Sequence, residues 1–351
     1  MKLLSFHTDL IESTFLSPSG EKVKNVVEVR TNPITFRTCR ITYARQKEKE
    51  RGTDRLPPKP PDAVNTQDCP FCYPRLLEDT PFIDPDIYPP GQMHEEKSVL
   101  FPNLFSYGAY SAVSLFDNRH FVEIGQASLG SYVNSLKNCS RYLKKVLEFD
   151  PDAIHAAITQ NHLPSAGGSL VHPHLQVQAD KIPSNHHRFL KNHAFEYFKK
   201  TGKYIFSDYL EQEKKDGSRY IGNSGDWQWL ASFAPEGFYE LWAILPGHFS
   251  VTNLSELVWE HLATGILNAQ KFYRSLYRNG YNLGILSVES EQEAFLELRC
   301  VMVVRSNYAP WARNDHSGFE VMLGDMATFT SPEEIAEKAR IFWLPEIKKT
   351  F

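Results

Sequence analysis

Residues 161–178 read NHLPSAGGSLVHPHLQVQ, and the alternation at the end of this stretch decides how the chain folds around its chemistry. If residues 171–178 form a strand, successive side chains point to opposite faces, so His172, His174 and Gln176 share one face. Two imidazoles and an amide then stand in a row. Pro173 has no N–H for a sheet ladder, so the strand either starts there or runs at an edge that a ligand can approach. Ahead of it, SAGGS at 165–169 is a turn whose backbone N–H groups, around Gly167, Gly168 and Ser169, can come close to an anion as glycine-rich turns do around phosphate.

This arrangement suits attack by a neutral imidazole, that of His174, on phosphorus, with a phosphoramidate dividing one transfer into two steps. An unperturbed pKa of about 6.5 leaves histidine largely neutral at cellular pH. Backbone donors and Gln176 would stabilise charge on the non-bridging oxygens. A histidine in place of Gln176 could deliver a proton and favour hydrolysis, whereas an amide donates hydrogen bonds without titrating, so Gln176 favours transfer. The plainer alternative is a tight turn beside structural histidines.

Working towards the N-terminus, CPFC places Cys69 and Cys72 at the spacing that lets two sulfurs reach one tetrahedral zinc. His120, just beyond an expected strand, and His172 complete a Cys2His2 set. Such a site is closed to water, so its expected work is structural, tying the loop after a proline-rich stretch to the strand of His174. Thiol redox chemistry is the rival reading of CPFC, and it leaves His120 and His172 without a role.

The two ends of the chain repeat one order of elements. An alternating strand at 110–116 leads to His120, a helix with apolar positions Leu129, Val133, Leu136, Leu143 and Leu147, and a strand at 154–159. A strand at 239–245 leads to His248, a helix through Leu254, Val258, Leu262, Ile266 and Phe272, and strands near 281–287 and 296–304. This predicts an α+β fold built from a diverged duplication, two antiparallel-sheet halves with packed helices, the first half keeping the chemistry. The loop GTDRLPPKPPD at 52–62 cannot continue a helix or a central strand. The polar run EQEKKDGSR at 211–219 is the expected boundary, giving a catalytic half with the zinc site at 1–210 and a degenerate half at 211–351 that contributes to the substrate site. His248 reads as the vestigial counterpart of His120, His155 as structural, and His186 and His187 as solvated.

Composition bounds the partners. A chain of 351 residues, 42% hydrophobic and with formal charge -4, has ample material for a core and no electrostatic footprint for nucleic acid. No stretch approaches the roughly 20 apolar residues of a membrane helix, and residues 1–10 are too short and broken an apolar run for a secretory signal, so a cytoplasmic protein is expected. Five cysteines form no dense even framework, which makes paired thiols better metal ligands than disulfides.

The run from NPIT at 32–35 through CPFC, Asn103, His120, Asn161, the glycine turn, His172-Pro173-His174 and Gln176 resembles the galactose-1-phosphate uridylyltransferase family of the histidine triad superfamily, to which ADP-glucose phosphorylase is related. DGSR at 216–219, residues 239–248 and SPEEIAEKAR at 331–340 extend the resemblance over roughly residues 25–345. It implies a duplicated histidine-triad-like fold and a double displacement: a nucleotide-sugar gives its nucleoside monophosphate to His174, a sugar phosphate leaves, and a second phosphate acceptor takes the nucleotide. It also implies zinc on Cys69, Cys72, His120 and His172, phosphate contacts from Asn161, Ser169 and Gln176, positions near the nucleotide for Asn103 and Arg45, a sugar contact for Glu320, and a homodimer. The family's second metal site is not expected, because residues 295–304 read FLELRCVMVV without histidine and Leu190 falls near its carboxylate. Met326 stands where the family has a hexose-binding glutamine, which argues against galactose 1-phosphate. Three functions follow: a nucleotidyltransferase using a nucleotide-sugar and a sugar phosphate, a phosphorylase in which inorganic phosphate is the second acceptor, or a non-catalytic nucleotide-binding protein.

Overall fold

The computed structural model describes residues 4–43, 55–308 and 315–344. Alternating burial builds its main feature, a ten-stranded antiparallel sheet. In chain order its strands are β4 (Met93–Glu95), β5 (Ser98–Pro102), β6 (Tyr110–Leu115), β7 (His155–His162), β8 (His174–Asp180), β9 (Tyr220–Ser224), β10 (Trp227–Ala231), β11 (Phe238–Leu245), β12 (Gly280–Val288) and β13 (Leu298–Arg305). Their order across the sheet is β4-β5-β6-β8-β7-β12-β13-β11-β10-β9. A four-stranded sheet stands apart: β1 (His7–Leu16), β2 (Lys22–Thr31), β3 (Thr38–Thr42) and β14 (Met326–Thr328), the last pairing parallel to β3.

Two long helices cover one face of the large sheet. Helix α2 (Leu129–Phe149) starts at Ser128, whose side chain accepts from the Ser131 N–H, and α5 (Glu256–Ser275) starts in the same way at Ser255. Their apolar stripes, including Leu136, Leu143, Leu262 and Ile266, are fully buried against Leu175, Val177, Leu283 and Met302. Each such side chain contributes about 1.5–3 kcal/mol on burial. Helices α3 (Asn185–Thr201) and α4 (Ile205–Asp216) cover part of the opposite face, where Leu190, Phe206 and Tyr209 pack on Trp242 and Ile244. The short α1 (Arg75–Asp79) follows CPFC, and α6 (Pro332–Arg340) packs near β9 and β10.

This layering places the chemistry. Leu175, Val177 and Ala179 of β8 are almost fully buried towards α2, so His174, Gln176 and Gln178 face the other way. A one-residue slip would drive His174 into the helix layer and expose Leu175, so the apolar pattern fixes the direction of the polar one.

Several expectations change in detail. Of the two alternatives for Pro173, the strand start is the one found: β8 begins at His174 rather than at residue 171, and it lies between β6 and β7, not at an edge. His172 therefore precedes the ladder. The polar run expected to separate the halves is helical as far as Asp216, because Glu213 is buried and paired with Arg219 at 2.9 Å. His187, read as solvated, is buried: its Nε2 lies 2.9 Å from the Ala156 carbonyl, and its N–H caps α3 on Ser184. A buried relay of Arg219 and Arg30, both on Glu333 at 2.8 Å, ties α6 to the smaller sheet.

Candidate active site and metal cluster

The CPFC turn folds so that the Cys72 N–H donates to the Cys69 carbonyl, bringing both sulfurs to one side. The Sγ atoms of Cys69 and Cys72 and the Nδ1 atoms of His120 and His172 all lie within 4.8 Å of one another. Individual separations are 3.3 Å for Cys72 to His120, 3.6 Å for Cys72 to His172 and 3.8 Å for Cys69 to His172. A tetrahedral zinc with its usual bonds to sulfur and nitrogen needs ligand–ligand edges of about 3.3–3.8 Å. The remaining nitrogens agree. His120 Nε2 donates to the Asp62 carbonyl at 2.8 Å and His172 Nε2 to the Asp117 carbonyl at 3.2 Å, which leaves both Nδ1 lone pairs facing the cluster. This donor set could hold a metal ion.

His172 reaches the next residue of interest through its backbone. The His172 carbonyl accepts from His174 Nδ1 at 2.7 Å, so Nε2 of His174 carries the free lone pair. Burial lowers the pKa of the His174 imidazole and keeps it neutral. Phe71, between the two cysteines, sets its ring edge-on to both imidazoles, with centroids 5.9 Å from His172 and 5.5 Å from His174.

A line of polar side chains crosses the sheet from Gln176. Asn161 Nδ2 donates to Gln176 Oε1 at 3.4 Å, Asn282 Nδ2 to Asn161 Oδ1 at 2.6 Å, and Arg305 Nη1 to Asn282 Oδ1 at 2.7 Å. Asp315 anchors Arg305 with two bonds of 2.7 Å. With its oxygen occupied, the Gln176 amide is left with its N–H donors for another acceptor.

The glycine turn is built by its own backbone. Leu163 enters it with φ of 74°, a costly conformation for a branched side chain, and Gly167 follows at 85°. A Cβ on Gly168 would sit 2.8 Å from the Asn161 carbonyl. The Gly167 and Gly168 N–H groups donate to the carbonyls of Pro164 and Leu163, so the turn's inner donors are used in shaping it. The two glycine N–H groups are thereby turned away from any anion, which narrows the sequence expectation.

Known structures share this arrangement of sheet, helices and connections. An ADP-glucose phosphorylase from Arabidopsis thaliana with bound ADP-glucose superposes with a TM-score of 0.69 at 20% identity, covering 90% of this chain and 98% of the other. A GalT-like protein from the same plant gives 0.66 at 20%, covering 89% and 98%. A uridylyltransferase gives 0.65 at 16%, covering 90% and 97%. The chain has the uridylyltransferase fold. In sequence, it is 27% identical over 338 residues to an uncharacterized protein of Archaeoglobus fulgidus, covering 95% of this chain and 97% of that one. No protein-family model matches the chain.

Within the uridylyltransferase fold, the structure brings Cys69, Cys72, His120 and His172 into one cluster, and Asn161, Gln176 and His174 onto neighbouring strands. Asn103 lies in the loop after β5, its Oδ1 accepting from the Phe105 N–H at 3.0 Å. Glu320 sits in a single wide helical turn beside β14, its carboxylate taken by the Ser317 N–H at 2.7 Å and by the Ser317 hydroxyl. Met326 is buried with Cys39 and Phe233. Arg45 lies outside the described residues. Phe71, Asn282, Arg305 and Asp315 are the residues that sequence reasoning missed. Asn282 left only a polar side chain in a mainly apolar strand, a mark it shares with Ser287 and one that does not name its partner.

Among the described residues no helix is long and apolar enough to cross a membrane.

Proposed function

We propose that the chain is a nucleotidyltransferase that carries a nucleoside monophosphate on Nε2 of His174 and uses a nucleotide-sugar as donor. The observation that carries this reading is the buried neutral imidazole, with Nδ1 fixed on the His172 carbonyl and Nε2 free on the face of Gln176 and Asn161. Nε2 attacks the α-phosphorus, the bond to the bridging oxygen breaks, and that oxygen leaves with the sugar phosphate. The acceptor's phosphate oxygen then attacks the same phosphorus, and the N–P bond returns its pair to Nε2. The His172 carbonyl holds the Nδ1 proton and favours the positive charge that builds on the ring. Gln176, positioned by Asn161, donates to a non-bridging oxygen without offering a proton that would favour water.

Cys69, Cys72, His120 and His172 fit a zinc ion, and a closed Cys2His2 zinc supplies structure rather than an open coordination position. Holding His172 also holds the carbonyl on which His174 is oriented. The sheet supports the duplicated histidine-triad reading: β5-β6-β8-β7 on one side of its centre are answered by β10-β11-β13-β12 on the other, with α2 and α5 in matching connections. The chemistry then belongs to the first half and the second supplies Asn282 and Arg305.

The phosphorylase version has one observation in its favour. Met326, at the position expected to recognise a hexose, is packed in a small core, which suits an acceptor as simple as inorganic phosphate. Exchange kinetics test both. A double displacement predicts that labelled sugar 1-phosphate enters the nucleotide-sugar pool with no second acceptor present, and discharge by phosphate or by sugar phosphate then identifies the acceptor. Turnover that requires both substrates at once, with no exchange, would exclude the scheme.

A further inference from the structure

A cavity of about 470 Å³ opens on the sheet face that carries Gln176 and Asn161, under the cover of α3 and α4. Its floor follows one row of the ladder, Thr159, Gly284 and Val301, and Gln176 stands one strand step outside it as the partner of Thr159. Three strand steps separate β8 from β13, about 14 Å. The cavity therefore begins beside the proposed reaction centre and runs away from it.

Two features of the cavity lack a structural explanation, Gly284 in this row and Arg299, two residues along β13 from Val301. Gly284 occupies the middle of a central strand, where glycine forfeits packing and backbone entropy. Its φ is not positive, and a Cβ built there meets nothing within 4 Å, so neither backbone geometry nor crowding demands glycine. What its missing side chain does is leave the cavity floor open. At the far end stands Arg299, its guanidinium 4.1 Å from the Trp242 ring centroid and 4.9 Å from that of Phe206. Its Nη1 is buried without a hydrogen-bond partner. Three acids line the cavity, and none of them hydrogen-bonds this nitrogen, although Glu236 and Glu240 balance part of its charge through space. Glu297 accepts from the Ser207 N–H and hydroxyl and from the Gly247 N–H. Glu240 accepts from the Trp242 Nε1–H at 2.6 Å and the Glu236 N–H at 2.7 Å, and Glu236 accepts from Thr35 and Arg37. A buried guanidinium nitrogen without an acceptor is costly, and the rings that flank this one hold its fork in place for an oxyanion.

We infer that this cavity holds the sugar of the nucleotide-sugar substrate, and that this sugar carries a second anionic group, a carboxylate or a phosphate ester, which Arg299 receives. The inference rests on the nucleotidyl-transfer reading, to which it adds a substrate class: donors whose sugar is a uronate or a sugar phosphate rather than a neutral hexose. The open floor at Gly284 gives room for the ring between the reacting phosphorus and the guanidinium.

The test compares three donors with the wild-type chain: a nucleoside diphosphate glucose, its glucuronate counterpart, and the counterpart phosphorylated at the sugar 6-position. The readouts are the rate of His174 labelling and KM. One of the two anionic donors should be preferred over the neutral one by tenfold or more, and which one it is separates carboxylate from phosphate. Arg299→Met should erase the preference. Gly284→Val should raise KM for every donor while leaving thermal unfolding unchanged or improved, because valine favours strands and a Cβ at this position meets nothing within 4 Å. Labelling of His174 at equal rates by all three donors, unaltered in Arg299→Met, would overturn the inference and leave the transfer reading standing. If no donor labels His174, the transfer reading fails, and calorimetric titration with glucose 1,6-bisphosphate and glucuronate 1-phosphate decides the cavity. Binding lost in Arg299→Met keeps an anion site there; no binding removes it.

Discussion

At the scale of single residues, the site depends on hydrogen-bond direction more than on which residues are present. His174 presents Nε2 only because Nδ1 is held on the His172 carbonyl, and Gln176 presents N–H groups because Asn161 occupies its oxygen. Asn161 is held in turn by Asn282, and Asn282 by Arg305. Asn282→Ala should therefore reduce kcat about tenfold, the loss of one positioning hydrogen bond being about 1–3 kcal/mol. Unchanged zinc content and a normal unfolding midpoint in that variant would assign the loss to positioning, and an unchanged kcat would remove Asn282 from the account. HPHLQ was legible in the sequence because histidine and glutamine at alternating positions have few structural uses. Asn282 was not, since its partner lies 121 residues away and only the β7–β12 register joins them.

At the scale of elements, the loop that carries CPFC has little regular structure, and it is attached by the packing of Phe71 and Leu76 on β5 and β6 and by four cluster side chains. Cys69 and Cys72 reach across to His120, after β6, and to His172, before β8. The protein as purified should contain one zinc per chain by elemental analysis. Cys72→Ser should lose it and unfold at a temperature lower by several degrees, with slower His174 labelling because His172 is no longer fixed. Full zinc occupancy in that variant, or a metal-free protein of unchanged stability and activity, would contradict this attachment. The spacing of the cysteines and the periodicity of α2 and α5 were readable from sequence. The inner position of β8 was not, because a proline before a strand marks its start as readily as an exposed edge. Nor was the helical state of residues 211–216, where the Glu213–Arg219 pair offsets a polar composition.

At the scale of the whole molecule, ten strands form one sheet, and the buried Glu240 and Arg299 sit on the side of β11 and β13. Burial, together with the neighbouring charge of Glu236, pushes the Glu240 carboxyl up to about 7. An acid whose folded pKa lies above its unfolded value, about 4.3, binds more protons when folded, so it withdraws stability as pH rises through that window. Glu240→Gln should accordingly flatten part of the fall in unfolding midpoint between about pH 4.5 and 7, relative to wild type, and a parallel pair of pH profiles would show that Glu240 does not titrate there. The order strand, long helix, strand around α2 and around α5 was visible in the sequence, whereas the pairing of β7 with β12 was not, because local periodicity carries no information about which strands become neighbours. On the proposed function, these arrangements converge on His174 as the residue that takes up the nucleotide. The most direct test is intact-protein mass spectrometry after incubation with nucleoside diphosphate sugars of different bases, wild type beside His174→Ala. Transfer through His174 gives a gain of one nucleoside monophosphate per chain in the wild type and none in the variant; turnover in His174→Ala, or an adduct that survives the substitution, would rule it out.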